Sequence, residues 1–119
     1  MKPIKWISSS YKDLLDFPKQ AMREVGHALF VVQQGQMAKN SKPLLGFGGA
    51  SVLELVEDWD GNTYRAVYTV RFDDAVYVLH CFQKKSRSRA STPKYEIELV
   101  KRRLRMAEEE HRKSRERES

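Results

Sequence analysis

Three consecutive stretches of alternating apolar and polar residues constrain this chain more than any other feature. They lie at about residues 52–58, 63–72 and 75–83. Asp60-Gly61-Asn62 separates the first two stretches and Asp73-Asp74 the last two, and residues of these types favour tight turns. The pattern therefore predicts a three-stranded antiparallel meander.

Helical patterns precede this meander. Residues 2–8 are typical of a short strand, and residues 10–16 of a turn or a short helix. The next helix is predicted between Pro18, which suits a first helical turn, and Gly35, which suits the position after a helix end. Its apolar residues recur at helical spacing: Met22, Val25, Leu29 and Val32. Residues 36–51 predict an irregular connection because they are rich in glycine and lysine.

A second helical pattern follows the meander. Thr92-Pro93 has the form of a helix N-cap followed by proline in the first turn. The apolar stripe after it consists of Ile97, Val100, Leu104 and Ala107. The chain thus predicts an α+β fold with an N-terminal strand, two helices, the meander and a C-terminal helix. With 119 residues, 40% of them hydrophobic, we expect one domain over residues 1–107 and a charged tail over 108–119, frayed or disordered.

Cysteine and histidine usage limits the chemistry that the chain can perform. Cys81 is the single cysteine, so an internal disulfide and a cysteine-cage zinc site are excluded, and a reducing cytoplasm is favoured. The three histidines are remote in sequence and lack spaced partners, which predicts no metal and no cofactor. We expect no secretion and no membrane span, because no apolar run approaches about 18 residues.

The positive charge of the chain is concentrated in one segment. Residues 84–105 hold nine of the 22 Lys and Arg residues but only two of the 16 Asp and Glu residues. Such a cluster beside a neutral remainder is typical of a polyanion-binding surface. A solvated helix face is the simpler interpretation of the same run.

Strand pairing predicts where this charge meets the meander. A tight hairpin at Asp73-Asp74 places Arg65 opposite Phe82, with His80 and Lys84 as diagonal neighbours on an exposed sheet face. Tyr64 lies beside Arg65 on the opposite face. That opposite face is expected to pack on helices: Tyr64, Ala66, Tyr68, Val70, Phe72, Ala75, Tyr77, Leu79 and Cys81.

Two close cations repel each other unless an anion lies between them, which indicates a phosphate-bearing partner. An alternative is that Arg65 or Lys84 pairs with an acidic residue on the adjoining strand, namely Glu54, Glu57 or Asp58. His80 alone is better explained as a half-buried sheet residue.

A site built largely of cations is sufficient for a reaction in which the 2′-hydroxyl of RNA cleaves the RNA chain. That reaction needs alignment of the attacking oxygen, neutralisation of the phosphorane charge and two proton transfers.

Several pieces of the sequence together resemble the RelE/ParE toxin superfamily, in its phage-derived, HigB-like branch of type II toxin–antitoxin systems. The resemblance covers residues from about 3 to 107. It is carried by Lys42-Pro43-Leu44, Glu54-Leu55, Tyr64-Arg65-Ala66-Val67-Tyr68, the run from Val78 to Ser86 with its Phe82-Gln83-Lys84-Lys85 core, and Thr92-Pro93.

The resemblance implies a ribosome-dependent mRNA endonuclease that a cognate antitoxin, expected to be a helix-turn-helix protein, holds inactive. It implies that Arg65 stabilises the transition state and that Lys84 and Lys85 bind phosphate, with His80 as a further catalytic candidate. Alternation places Lys85 on the opposite face from Lys84. The nucleic-acid-binding candidates are Lys42, Tyr64, Arg87, Arg89 and Lys94, and Lys84, Lys85, Tyr64 and His80 all remain candidates for proton transfer.

Two other functions are compatible with the same fold. The first is a toxin that poisons DNA gyrase, because one fold can carry several functions. The second is a non-catalytic nucleic-acid-binding relative, whose binding would depend strongly on salt.

Overall fold

The computed structural model describes residues 1–49, 51–84 and 92–118. The chain forms β1 (Ile4–Trp6), α1 (Ser10–Leu15), α2 (Lys19–Gln33), β2 (Ser41–Pro43), β3 (Val52–Trp59), β4 (Asn62–Thr69), β5 (Val76–Lys84) and α3 (Lys94–Glu118). The predicted α+β class and the order of strand, two helices, meander and C-terminal helix are confirmed.

The strands form one five-stranded sheet in the order β1-β5-β4-β3-β2. β1 runs parallel to β5, and the other neighbours are antiparallel. β2 lies within the connection predicted to be irregular. Its three residues are too few to show an alternating pattern, and it ends in Pro43, so the sequence could not reveal it.

The turn between β3 and β4 has the predicted geometry. Asp60 and Gly61 both have positive φ angles, 48° and 85°, and they join the paired residues Trp59 and Asn62. A two-residue turn with two positive φ angles matches the twist of antiparallel strands, which explains the Asp-Gly sequence.

The pairing of β4 with β5 follows the predicted register only at one end. Arg65 lies opposite Phe82 and Val67 opposite His80, as predicted, but Tyr68 lies opposite Val78. Leu79 is therefore the extra residue of a β-bulge. A bulge shifts the side chains beyond it to the other face, so the predicted faces are wrong toward the Asp73-Asp74 end. The predicted tight hairpin at Asp73-Asp74 is also wrong, because β4 ends at Thr69 and residues 70–75 connect it to β5.

Helices cover both faces of the sheet. α1 and α2 enclose one core, which includes Tyr64, Ala66, Tyr68 and Cys81 as predicted. α3 covers the opposite face, and Phe72, Ala75, Tyr77 and Leu79 lie in this second core; the bulge places Tyr77 and Leu79 there. The mixed face that was expected to be exposed is thus partly buried under α3.

α3 continues through the charged tail to Glu118. Beyond Ala107 it contacts the β4–β5 connection, because His111 Nδ1 lies 2.9 Å from Asp74 Oδ1 and the His111 ring stacks on Phe72 at 4.6 Å. Across the described ranges, no helix combines the length and the apolarity that crossing a bilayer requires.

Candidate functional site

Arg65 lies at the centre of the sheet face under the start of α3. Its side chain is 1% exposed, so the expectation that it lies on an open surface is wrong. Arg65 Nη1 donates to Glu54 Oε1 at 3.2 Å, and Glu54 is also 1% exposed. Register explains the pair, because Val56 lies opposite Arg65 and Glu54 is the next residue on the same face of β3. The alternative prediction, that Arg65 pairs with an acidic residue on the adjoining strand, is therefore correct for Arg65.

Thr92 closes this pair into a network. Arg65 Nη1 donates to Thr92 Oγ1 at 3.0 Å, and Thr92 Oγ1 donates to Glu54 Oε2 at 2.5 Å. Both carboxylate oxygens of Glu54 are therefore engaged, and the threonine hydroxyl both accepts and donates. We call Glu54, Arg65 and Thr92 the buried triad.

Two lysines flank the buried triad. Lys42 in β2 pairs with Glu54 across the strands and is exposed, while Lys84 pairs with Thr63 at the end of β5 and is half-buried. Partial burial, the guanidinium of Arg65 and the ammonium of Lys42 lower the pKa of Lys84, and Glu54 opposes them. Three cations thus surround one carboxylate, which gives this end of the sheet an excess of positive charge.

An open groove of about 460 Å³ lies beside the triad, along the β2 edge. Two carboxylates in its wall accept hydrogen bonds from neutral side chains, since Asn40 Nδ2 donates to Glu57 Oε1 at 2.7 Å and Thr63 Oγ1 donates to Asp58 Oδ1 at 2.9 Å. The residues that line it are Lys39, Asn40, Ser41, Lys42, Val56, Glu57, Asp58, Thr63 and Arg65. Its charged lining residues are three cations, Lys39, Lys42 and Arg65, and two carboxylates, Glu57 and Asp58.

His80 lies outside this groove. It is 6% exposed beneath α3, where its Nε2 lies 3.1 Å from Glu96 Oε1 and its Nδ1 lies 3.3 Å from Arg103 Nη1. Its ring stacks on Phe82 at 4.8 Å. Burial lowers the pKa of His80, against the opposing effect of Glu96. His80 therefore helps to dock α3, in agreement with its interpretation as a sheet residue.

The structure separates the other predicted site residues. Tyr64 is 5% exposed on the opposite face, and its ring packs against Phe17 at 5.1 Å, so it does not contribute to the surface around the lysines. Lys94 is exposed in the first turn of α3. Lys85, Arg87 and Arg89 lie outside the described residues. In the part of the chain that the structure describes, no three His, Cys, Asp or Glu side chains converge in a way that could hold a metal ion.

Sequence reasoning missed Lys39, Asn40 and the role of Thr92. Thr92 was predicted only as a helix cap, whereas its hydroxyl bonds to side chains of β3 and β4. The available signal for the triad was the set of motif pieces that carry the resemblance, since Glu54, Arg65 and Thr92 all belong to them.

Comparison with known families agrees with this fold. The profile of the family described as phage derived protein Gp49-like (DUF891) matches residues 12–105. The chain belongs to this family. Gp49-like proteins are toxins of toxin–antitoxin systems within the RelE/ParE-like superfamily, so an antitoxin partner is implied. No curated protein matches the chain closely enough to count as a relative. The matched range includes the buried triad, Lys42 and Lys84.

Proposed function

We propose that this Gp49-like toxin is a metal-independent endoribonuclease of the HigB-like branch, which cuts mRNA on the ribosome in the cytoplasm. A helix-turn-helix antitoxin would hold it inactive. The observation that carries the proposal is the crowding of Lys42, Lys84 and Arg65 around Glu54 beside an open groove. An excess of fixed cations at one end of a sheet is suited to a phosphodiester.

The proposed reaction is attack of a 2′-hydroxyl oxygen on the adjacent phosphorus. The 2′-hydroxyl loses its proton, the new bond forms a 2′,3′-cyclic phosphate, and the bond from phosphorus to the 5′-oxygen breaks. The departing 5′-oxygen takes up a proton to leave a 5′-hydroxyl end. Fixed positive charge stabilises the negative phosphorane, and one such contact is worth about a hundredfold or more in rate.

Lys84 is the best candidate for proton transfer. A lysine transfers protons efficiently when its pKa is lowered toward the working pH, and partial burial together with Arg65 lowers the pKa of Lys84. Lys42, exposed on β2 at the edge of the sheet, supplies phosphate binding. Lys94 and, on their sequence positions, Lys85, Arg87 and Arg89 extend this role along the RNA backbone. His80 and Tyr64 are left out of the proposed chemistry because both are buried in helix-packing contacts.

Expression in bacteria tests this function. The wild-type chain should arrest growth, and primer extension on translated messages should reveal discrete cuts within codons. Lys84→Ala should reduce cutting by about a hundredfold and relieve the arrest. Arg23→Ala is a matched control, because Arg23 is exposed on α2, which covers the other face of the sheet, and its loss should change neither readout.

The same cultures separate the competing functions. DNA breaks without RNA cuts would identify a gyrase poison and overturn the proposal. Salt-dependent RNA binding with intact messages would identify a non-catalytic relative.

A further inference from the structure

The buried triad joins three parts of the chain that are distant in sequence. Glu54 comes from β3, Arg65 from β4, and Thr92 from the residues directly before α3. The three side chains are at most 9% exposed. Their donors and acceptors form a closed ring, in which Arg65 donates to the other two and Thr92 donates to Glu54.

We propose that Arg65 is a positioning residue, which fixes the start of α3 on the sheet through Glu54 and Thr92 and does not bind the scissile phosphate itself. This inference rests on the proposed nuclease function for its effect on cleavage. The claim that Arg65 fixes the start of α3 on the sheet concerns the free protein, so it can be tested without the nuclease function.

Burial is the first argument for this role. A guanidinium that is 1% exposed and bonded to a buried carboxylate must leave that partner before it can reach a phosphate. Leaving one charge of a buried pair without its partner carries a penalty of roughly a hundredfold or more in the equilibrium. The exposed cations at this end, such as Lys42, can bind phosphate without that penalty.

Topology is the second argument. Thr63 pairs with Lys84, and Arg65, two residues further along β4 on the same face, binds Thr92. The single strand β4 therefore contacts both Lys84, the last residue of β5, and Thr92, which lies two residues before α3. Pro93, the next residue, accepts hydrogen bonds from the backbone N–H groups of Glu96 and Ile97 at 3.0 and 3.1 Å. A displaced Thr92 would move the first turn of α3 and change how this end of the sheet presents its lysines.

Two variants of Thr92 test the inference while they leave the Arg65–Glu54 pair in place. Thr92→Val keeps the shape but removes the hydroxyl, whereas Thr92→Ser keeps the hydroxyl. Thr92→Val should slow mRNA cleavage by about tenfold or more, and Thr92→Ser should restore it. A group that merely fills space would not distinguish a hydroxyl from a methyl in this way.

The double variant with Arg65→Met measures coupling. If Arg65 acts through Thr92, adding Thr92→Val to Arg65→Met should lower the rate of mRNA cleavage little further than Arg65→Met does alone. Full cleavage by Thr92→Val together with inactive, folded Arg65→Met would show direct action of Arg65 on the substrate and would overturn the inference.

Amide hydrogen exchange on the free protein keeps the test independent of the nuclease proposal. The amides of Glu96 and Ile97 should exchange about tenfold faster in Thr92→Val, whereas the amide of Leu29 in α2 should be unchanged. Unchanged exchange at the start of α3 would contradict the inference even if the wild-type chain cuts no RNA. Faster exchange in a chain that cuts no RNA would support the positioning role while refuting the nuclease.

Discussion

Charged side chains are buried at two places under α3, and each has a partner. Arg65 and Glu54 share one ion pair, and His80 lies between Glu96 and Arg103. Removing one member of a buried ion pair typically destabilises a protein by about 3–5 kcal/mol, because the remaining charge stays buried without compensation. The Arg65–Glu54 pair joins β4 to β3 and reaches the start of α3 through the Thr92 hydroxyl, whereas His80 contacts Glu96 and Arg103 of α3 directly.

Acid should weaken the docking of α3 through His80. Its partners assign the single proton of a neutral ring to Nε2, which donates to Glu96, while Nδ1 accepts from Arg103. Asp13 of α1 and the Phe82 ring also face the imidazole. If Nδ1 were protonated, its N–H would face the N–H of Arg103 Nη1, and two donors cannot form a hydrogen bond with each other.

The sign of this pH dependence follows from the lowered pKa. The pKa of folded His80 lies below its usual value, about 6.5, so between the two values the unfolded chain binds the extra proton. The free energy of unfolding should therefore fall as the pH drops below about 6.5. Urea titrations between pH 8 and pH 5 should show a smaller fall for His80→Gln, and an equal fall in both proteins would contradict this explanation.

At the scale of elements, α3 is held at its start and again at His111. The buried triad fixes its start, and His111 and Phe72 fix it about five turns later. Between these points the stripe of Val100, Leu104 and Ala107 is buried against the sheet. The tail thus contributes packing as far as His111, and residues 112–118 extend beyond it.

Two truncations test the contribution of the tail. A chain that ends at Ala107 should lose about 1–2 kcal/mol of unfolding free energy, because it uncovers the Phe72 ring and removes the contact with Asp74. A chain that ends at Arg112 keeps both contacts and should match the full chain. Equal stability of the two truncated chains, measured by urea unfolding, would show that the tail packs too weakly to matter.

Local sequence signals predicted most elements but few of their contacts. The Asp60-Gly61 turn and the alternation of β3 to β5 are encoded within a few residues, so they were predicted correctly. The bulge at Leu79 has no local signal, and it reversed half of the face assignment. Whether a given residue is covered by a helix that follows it in sequence depends on packing across the whole fold.

The candidate site shows the same division. Composition located the cations, and strand pairing placed Arg65 opposite Phe82 correctly. The burial of Arg65 could not be predicted, because it depends on Thr92, which is 27 residues away in sequence. Glu54 was weighed as a partner together with Glu57 and Asp58; alternation sets Glu57 on the opposite face from Glu54, but it could not choose between Glu54 and Asp58, which share a face.

At the scale of the whole molecule, the segment with the excess of positive charge overlaps the end of β5 and the start of α3. The basic segment, residues 84–105, begins at the last residue of β5 and includes the first half of α3. The buried triad stabilises the end of the sheet that carries Lys84, and Lys42 from the β2 edge adds to the positive charge there. A Gp49-like toxin built this way combines a rigid sheet with a cationic rim, which suits binding and cleavage of a polyanion.

Mapping the 5′ ends of messages cut in a purified translation system tests the central claim most directly. The account predicts cuts within codons on ribosome-bound mRNA, each leaving a 5′-hydroxyl that must be phosphorylated before ligation. Cutting should fall about a hundredfold with Lys84→Ala and remain unchanged with Arg23→Ala. Intact messages, or ends that already carry a 5′-phosphate, would contradict cleavage by the 2′-hydroxyl at this site.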